Sequence, residues 1–222
     1  MKLKVNRGLT VHILLPLAFL ILGLSFLFLT FNPLIKLVSD GFSMFSSESL
    51  GREEINKDIY SGSVLEGYTE TVPSSKIQYP LNGTKYGMIN IEANGSLFEI
   101  PLYFGDSSSI LRRGAGHYMG SHFPGEGSTI LVSAHNNTYF NCLQHLKFGD
   151  KITVKTNYGI YEYAISNTQI KDRNDSSAYN LASSEENLVL YTCYPFNALG
   201  LTQKRYFVTA KLISGPKVLL YE

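Results

Sequence analysis

Hydrophobic and polar positions divide the chain into two textures. Val11 to Phe31 reads VHILLPLAFLILGLSFLFLTF, an unbroken apolar run with no charged side chain. At about 1.5 Å per helical residue it is long enough to cross a hydrocarbon layer of roughly 30 Å. From Lys76 onward the chain instead carries short runs rich in Ile, Val, Tyr and Phe, separated by turn residues, which is the pattern of a β domain. Between them, residues 32–75 mix brief apolar groups with polar stretches such as SDGFSMFSSESLGREE and hold neither period. They read as a stalk.

The short runs place the strands. Tyr86 to Glu92 and Leu97 to Tyr103 flank Ala93-Asn94-Gly95-Ser96, and the Asn-Gly pair supplies the positive φ angles that a tight hairpin needs. Asp106 stands where it would cap a short helix over Ser107 to Arg112. Thr129 to Ala134 predicts a strand ending at His135. Tyr139, Cys142, Leu143 and Leu146 share one face of a helix over Thr138 to Leu146. Lys151 to Thr156 and Ile160 to Ile165 alternate around Asn157-Tyr158-Gly159 as a second hairpin. Asn187 to Thr192 and Arg205 to Ile213 complete the set. Regularly spaced short strands with only brief helices predict an all-β fold, a closed or nearly closed barrel.

Charge gives the apolar run a direction. Lys2, Lys4 and Arg7 precede it, so the positive-inside rule keeps residues 1–10 in the cytoplasm and places everything after Phe31 outside. A cleaved signal peptide is the competing reading. Its apolar region is usually only roughly 7 to 15 residues and ends in a small-x-small site, whereas this one ends in Thr-Phe-Asn-Pro. The expected layout is therefore a cytoplasmic tail (1–10), a single-pass membrane anchor (11–31), an extracellular stalk (32–75) and an extracellular folded domain (76–222).

The remaining composition mostly excludes. A net charge of +1 over 222 residues offers no electrostatic footprint for nucleic acid. Two cysteines, Cys142 and Cys193, cannot form a disulfide framework; a single bridge between them is the lesser alternative, because each sits in a context that accounts for it alone. Cys142 falls on the apolar helix face, as core packing does. His117 and His122 lack a third metal ligand at suitable spacing. Asp172, Asp175, Glu185 and Glu186 show no EF-hand order, and neither a metal nor a cofactor is expected. The N-x-[ST] matches at Asn82, Asn94, Asn136 and Asn174 are too short a pattern to mean more than turns.

Three reactive side chains fall at strand ends: His135 after TILVSA, Cys193 after NLVLYT, and Arg205 opening RYFVTAKL. A buried thiol is the default for an isolated cysteine, and an arginine opening a strand is usually a solvated flank. Together they allow acyl transfer. A thiolate attacks a carbonyl carbon, an imidazolium protonates the leaving amine, and a guanidinium with backbone N–H groups stabilises the oxyanion.

His, Cys and Arg occur in that order, 58 and then 12 residues apart, and this order resembles the sortase transpeptidases of Gram-positive bacteria. Val189-Leu190-Tyr191-Thr192-Cys193 is similar to the family's TLxTC motif, with Val in place of the first Thr. GAGHYMGSHFPGEG at 114–127, SAHNNTYFNCLQHLKFGDKITV at 133–154, CYPF and RYFVTAKL also resemble sortases, class D most closely. The resemblance implies a mostly antiparallel eight-stranded barrel with short helices, following the transmembrane segment. It implies Cys193 as nucleophile, His135 as general acid and base, and Arg205 as the group that orients the sorting signal and stabilises the oxyanion. The N–H of Tyr194 would be a second oxyanion donor, and Thr192, Ala134 and Leu190 would line the substrate groove.

Sortases cut an LPxTG-like signal between Thr and Gly, hold the protein as a thioester and pass it to an amine of a peptidoglycan precursor. The expected partners are therefore secreted proteins bearing such signals and the precursor amine. The alternatives are a class C pilin polymerase and an inert cell-surface binding barrel. The class C lid motif, Asp-Pro-aromatic, is not visible here, and an inert barrel would be marked by loss of one of the three residues. A papain-like peptidase would need its histidine downstream of its cysteine, and a thiol-disulfide oxidoreductase would need Cys-x-x-Cys.

Overall fold

The computed structural model describes residues 14–28, 31, 58–60, 62, 70–198 and 202–219. The chain divides into two compact units, Met1–Leu50 and Gly51–Glu222. In the first, residues 14–28 form helix α1, whose Leu, Ile and Phe side chains are all exposed. No helix among the described residues is long and apolar enough to cross a membrane. The predicted tail, residues 11–13 and 29–30 of the predicted anchor and most of the stalk lie outside the described residues.

Among its described residues the second unit holds, besides three 3₁₀ turns, ten strands and one further short α-helix. They are β1 (Thr71–Pro73), β2 (Lys85–Ala93), β3 (Ser96–Phe104), α2 (Ser108–Leu111), β4 (Ala115–His117), β5 (Thr129–Ser133), β6 (Lys151–Thr156), β7 (Ile160–Asp172), β8 (Asn187–Tyr194), β9 (Lys204–Ser214) and β10 (Lys217–Leu219). Strands β2 to β9 close a barrel in the order β2-β3-β4-β5-β8-β9-β7-β6, and β1 pairs with β10 as a separate ribbon. The hairpin at Asn94-Gly95 forms as its sequence predicts, with φ of 50° and 73°. Residues 70–73 and Ile59, within the stretch read as stalk, join the folded unit. Val72 is fully buried and Ile59 packs against the core.

The barrel is mixed, where a mostly antiparallel one was expected. β3 pairs with β4, and β5 with β8, in parallel. Parallel neighbours need crossover connections. The chain supplies them through α2 between β3 and β4, and through the whole β6–β7 hairpin between β5 and β8. Two helix expectations also change. Ser107, not Asp106, precedes α2, with no side-chain cap bond. The amphipathic segment at 138–146 forms only a 3₁₀ turn, Asn141–His145, yet still buries Cys142, Leu143 and Leu146.

Alternation along β5, β8 and β9 sorts the side chains onto two faces. Ile130, Val132, Ala134, Leu188, Leu190, Val208 and Ala210 point into the main core. Leu131, Val189 and Phe207 point outward into a second small cluster with Ala178, covered by Tyr179, Leu181 and Tyr191. The loop carrying Ala178, Tyr179 and Leu181 is pinned at its far end. There the Glu186 carboxylate accepts from the N–H groups of Gly125 (3.1 Å) and Gly127 (3.0 Å) and from the Tyr163 hydroxyl (2.7 Å).

His117 is fully buried, and both its ring nitrogens are used inside the protein. The Ser121 hydroxyl donates to Tyr118 O, so it accepts from His117 Nε2–H at 2.8 Å, and Nδ1 accepts from the Tyr86 hydroxyl at 2.7 Å. Burial lowers the His117 pKa to about 3. It is a neutral crosslink between strands and not an available ligand.

Candidate active site

The outer face of β8 and β9 carries the candidate chemistry. β8 runs through Cys193 to Tyr194, one turn of alternation further than the apolar run predicts, so Cys193 sits within the strand and not beyond its end. In the antiparallel register Cys193 lies directly opposite Arg205, and Tyr191 opposite Phe207. Both pairs share the face of the second cluster. The 12-residue spacing is thus the separation of two residues that face each other in the antiparallel β8–β9 pair.

The 58-residue spacing has an equally direct origin. β5 and β8 pair in parallel from Thr129↔Asn187 to Ser133↔Tyr191, a constant offset of 58. Continuing that register by two residues brings His135 opposite Cys193. The ladder itself stops earlier, but the Thr192 hydroxyl donates to Ala134 O at 2.7 Å and holds the two chain ends in line. The backbone registers of β5, β8 and β9 thus bring positions 135, 193 and 205 next to one another.

Each side chain has a distinct setting. Cys193 is a free thiol and partly exposed; Cys142 is free and buried, so the two are not bridged. The Cys142 thiol is pushed up to about 11 by burial, offset in part by a backbone hydrogen bond. His135 is half-buried, and its pKa is lowered below the ordinary 6.5 by desolvation first and by the Arg112 charge second. The neutral imidazole is accordingly favoured at neutral pH. Arg205 is anchored through Nη1, which donates to Thr202 O (2.8 Å), Thr202 Oγ1 (3.2 Å) and Lys204 O (2.9 Å).

The groove-lining expectations need correction. Leu190 is fully buried and Ala134 is 5% exposed, both inside the barrel core. Thr192 is 2% exposed and its hydroxyl is committed to Ala134 O. All three sit on the inward face by alternation, so they position the patch and do not line it. Tyr194 is partly exposed and packs with Phe196 and Tyr206 in an aromatic trio. The residues that do share the outer face are Tyr191, stacked on Phe207 at 5.5 Å, and Tyr179 beside them. The same face continues four to six residues down β8 into a cleft of about 550 Å³ lined by Tyr179, Asn180, Asn187, Val189, Thr209 and Lys211.

Asn136, Asn141 and Asn197 also belong to this region, and no sequence period marks them. Only the doubled asparagine after His135 hints at a polar demand there.

The electrostatics of His135 lead to a direct expectation. Replacing Arg112 with Gln removes a cation but leaves the burial, so the His135 pKa rises toward, and stays below, 6.5. A proton NMR titration of the imidazole checks the direction; an unchanged titration would exclude Arg112 as a cause.

A closed mixed barrel that sets a cysteine on β8 opposite an arginine on β9, with a histidine just past the end of β5, defines a class of β-barrel with a free thiol on its outer face. Comparison with known proteins identifies the family. The sortase domain profile matches residues 89–213. Sortase D of Bacillus subtilis (strain 168) is 34% identical over 135 residues, covering 61% of this chain and 67% of the relative. Among solved structures, Streptococcus pneumoniae sortase C superposes with a TM-score of 0.52 at 27% identity, over 58% of this chain and 68% of that one. A Clostridium perfringens sortase D5 transpeptidase gives a TM-score of 0.55 at 23% identity, over 64% and 86%; that likeness concerns the fold. The chain belongs to the sortase family, a family of transpeptidases, and lies close to class D.

Proposed function

We propose that this protein is a membrane-anchored sortase that cleaves an LPxTG-like sorting signal between Thr and Gly and transfers the acyl group to an amine of a peptidoglycan precursor. The observation that carries this reading is the shared register: Cys193 faces Arg205 across β8–β9, and the β5–β8 offset of 58 brings His135 to the same place. Sγ of Cys193 attacks the threonyl carbonyl, and the electron pair goes to the carbonyl oxygen, facing the Arg205 guanidinium and the N–H of Tyr194. Collapse of that intermediate breaks the Thr–Gly bond, and His135 protonates the departing glycyl amine. The resulting thioester is attacked by the acceptor amine, whose proton returns to His135.

The lowered His135 pKa supports a particular balance in this mechanism. Most molecules at neutral pH hold a neutral imidazole, and the imidazolium needed for amine departure is the minor form. The outer-face cleft supports binding of an extended peptide along β8, since its β8 lining residues Val189 and Asn187 lie roughly 13 and 20 Å from Cys193 at strand rise. Anchoring rests on the sequence of residues 11–31 and the cations before it, which support an orientation with the catalytic domain outside the cell, where secreted substrates and wall precursors would meet it.

The test uses the full chain in detergent and a panel of fluorogenic peptides with LPxTG-type signals, each with and without an amine acceptor. Cleavage between Thr and Gly, with ligated product appearing only when the amine is present, is the expected result. No cleavage of any peptide in the panel would overturn the reading.

A further inference from the structure

The parallel ladder between β5 and β8 ends before it reaches the residues that matter. Its last backbone link, Ala134 N–H to Tyr191 O, is already 3.4 Å long. Beyond it the two chains part, one toward the 3₁₀ turn at Asn141–His145 and the other into the segment from Pro195. His135 and Cys193 sit where the chains part, so backbone pairing alone does not hold one against the other.

Side-chain amides take over there. Asn136 Nδ2 donates to Pro195 O at 2.9 Å, tying the residue after His135 to the second residue after Cys193. Asn141 Nδ2 donates both to Asn136 O and to Asn197 Oδ1, each at 2.8 Å. Gln144 Nε2 in turn donates to Asn141 Oδ1 at 2.8 Å. The His135 carbonyl itself accepts from Phe140 N–H at 3.0 Å. Asn136 is only 5% exposed, and a buried amide is tolerated when its polar atoms are bonded.

The chemistry of these partners requires side-chain N–H donors at 136 and 141 and an acceptor oxygen at 197. Pro195 O and Asn136 O are carbonyls that only accept, so Asn136 and Asn141 must each turn an NH₂ toward them. Asn141 has its NH₂ on two acceptors, which obliges Asn197 to present its oxygen. Asn197 holds φ at 61°, a left-handed backbone that asparagine adopts more readily than other side-chain-bearing residues. Aspartate at 136 would set a carboxylate against a carbonyl.

We propose that Asn136, Asn141 and Asn197 form an amide clamp that positions His135 against Cys193, completing on the far side of the histidine what Thr192 does on the near side. They are positioning residues and touch neither substrate nor the reacting atoms. The proposal rests on the thiol–imidazole reading of the site.

The test compares Asn136→Ala, Asn136→Asp, Asn141→Ala and Asn197→Gly in the full chain, with kcat expressed per Cys193 titrated by a thiol reagent. Asn197→Gly keeps the left-handed backbone accessible and removes only the acceptor. Displacing a catalytic group by about 1 Å costs on the order of 10²-fold, so Asn136→Ala and Asn136→Asp lower kcat per titrated thiol by about 10- to 100-fold with KM little changed. Asn141→Ala and Asn197→Gly lower it by a smaller factor. The pH profile of Cys193 alkylation shifts in the same variants, which a purely structural contact would not cause. Should Asn136→Ala not fold, as read by its melting transition, Asn141→Ala and Asn197→Gly decide. Values of kcat per titrated thiol within two-fold of wild type (roughly the scatter of such measurements), with an unshifted alkylation profile, overturn the clamp. A wild-type chain that cleaves no sorting peptide overturns the underlying mechanism instead, and the clamp with it.

Discussion

Cys193→Ala abolishes peptide cleavage and leaves no covalent peptide adduct on the protein, while Cys142→Ala cleaves and forms the adduct as wild type does. The contrast follows from where the two sulfurs sit. Cys193 is partly exposed on the outer face opposite Arg205. Cys142 is 2% exposed, its thiol donates to Tyr139 O at 3.4 Å, and burial pushes its pKa to about 11. A thiol protonated that firmly supplies almost no thiolate at neutral pH, so it cannot stand in for the missing nucleophile. Loss of a covalent nucleophile removes at least about 10³-fold of turnover, because no second group in the patch can form the acyl intermediate. Mass spectrometry of the protein after incubation with a sorting peptide, without acceptor amine, reads the adduct directly. Cleavage by Cys193→Ala at more than a trace rate would remove the thioester from the mechanism.

Much of the fold is legible in the sequence, and the gaps have physical causes. Strands with clear alternation, such as Lys151–Thr156, were predicted at their observed bounds. β4 was missed because Ala115-Gly116-His117 is three residues with no period to detect. β7 runs seven residues past its predicted end, where SNTQIKD is polar and mostly exposed and resembles a loop. The parallel pairing of β5 with β8 was hidden for a different reason. Every residue of Thr129–Ser133 is buried, as expected of a strand covered on both faces, and a continuous run carries no directional signal.

The site shows the same division. Cys193, His135 and Arg205 stand out in the sequence by type, order and spacing, and the 58-residue spacing equals the β5–β8 register. The groove expectations fail because proximity along the chain is not proximity on a face. Leu190, Thr192 and Ala134 are next to, or close to, the reactive residues in sequence, yet alternation turns them inward. The outward neighbours are two residues removed: Tyr191 from Cys193, Phe207 from Arg205 and Ser133 from His135. Tyr191 reflects that company. Its hydroxyl pKa is raised mainly by burial, with the Ser133 hydrogen bond and the Arg205 charge opposing the rise.

Arg205→Lys keeps the charge and loses most of the activity. Nη1 alone makes three hydrogen bonds to Thr202 and Lys204, all to oxygens of the segment that leads into β9. A planar fork can satisfy that anchor with one nitrogen while its remaining N–H groups turn to a developing oxyanion, and its geometry stays set by the anchor. A lysine ammonium is a single centre. If it replaces Nη1 on the Thr202 and Lys204 oxygens it is held away from the carbonyl, and if it swings toward the carbonyl it leaves those oxygens without a donor. Removing one well-placed oxyanion donor costs about 10²- to 10³-fold in kcat, and the lysine variant falls in that range, with KM changed less than kcat. Arg205→Ala falls further, and added guanidinium ion restores part of its turnover but none of that of Cys193→Ala. Steady-state kinetics on the full chain decide the matter. Turnover by Arg205→Lys within a few-fold of wild type would show that a point charge suffices, and Arg205 would then act on the sorting signal only by long-range attraction across the β8–β9 pair.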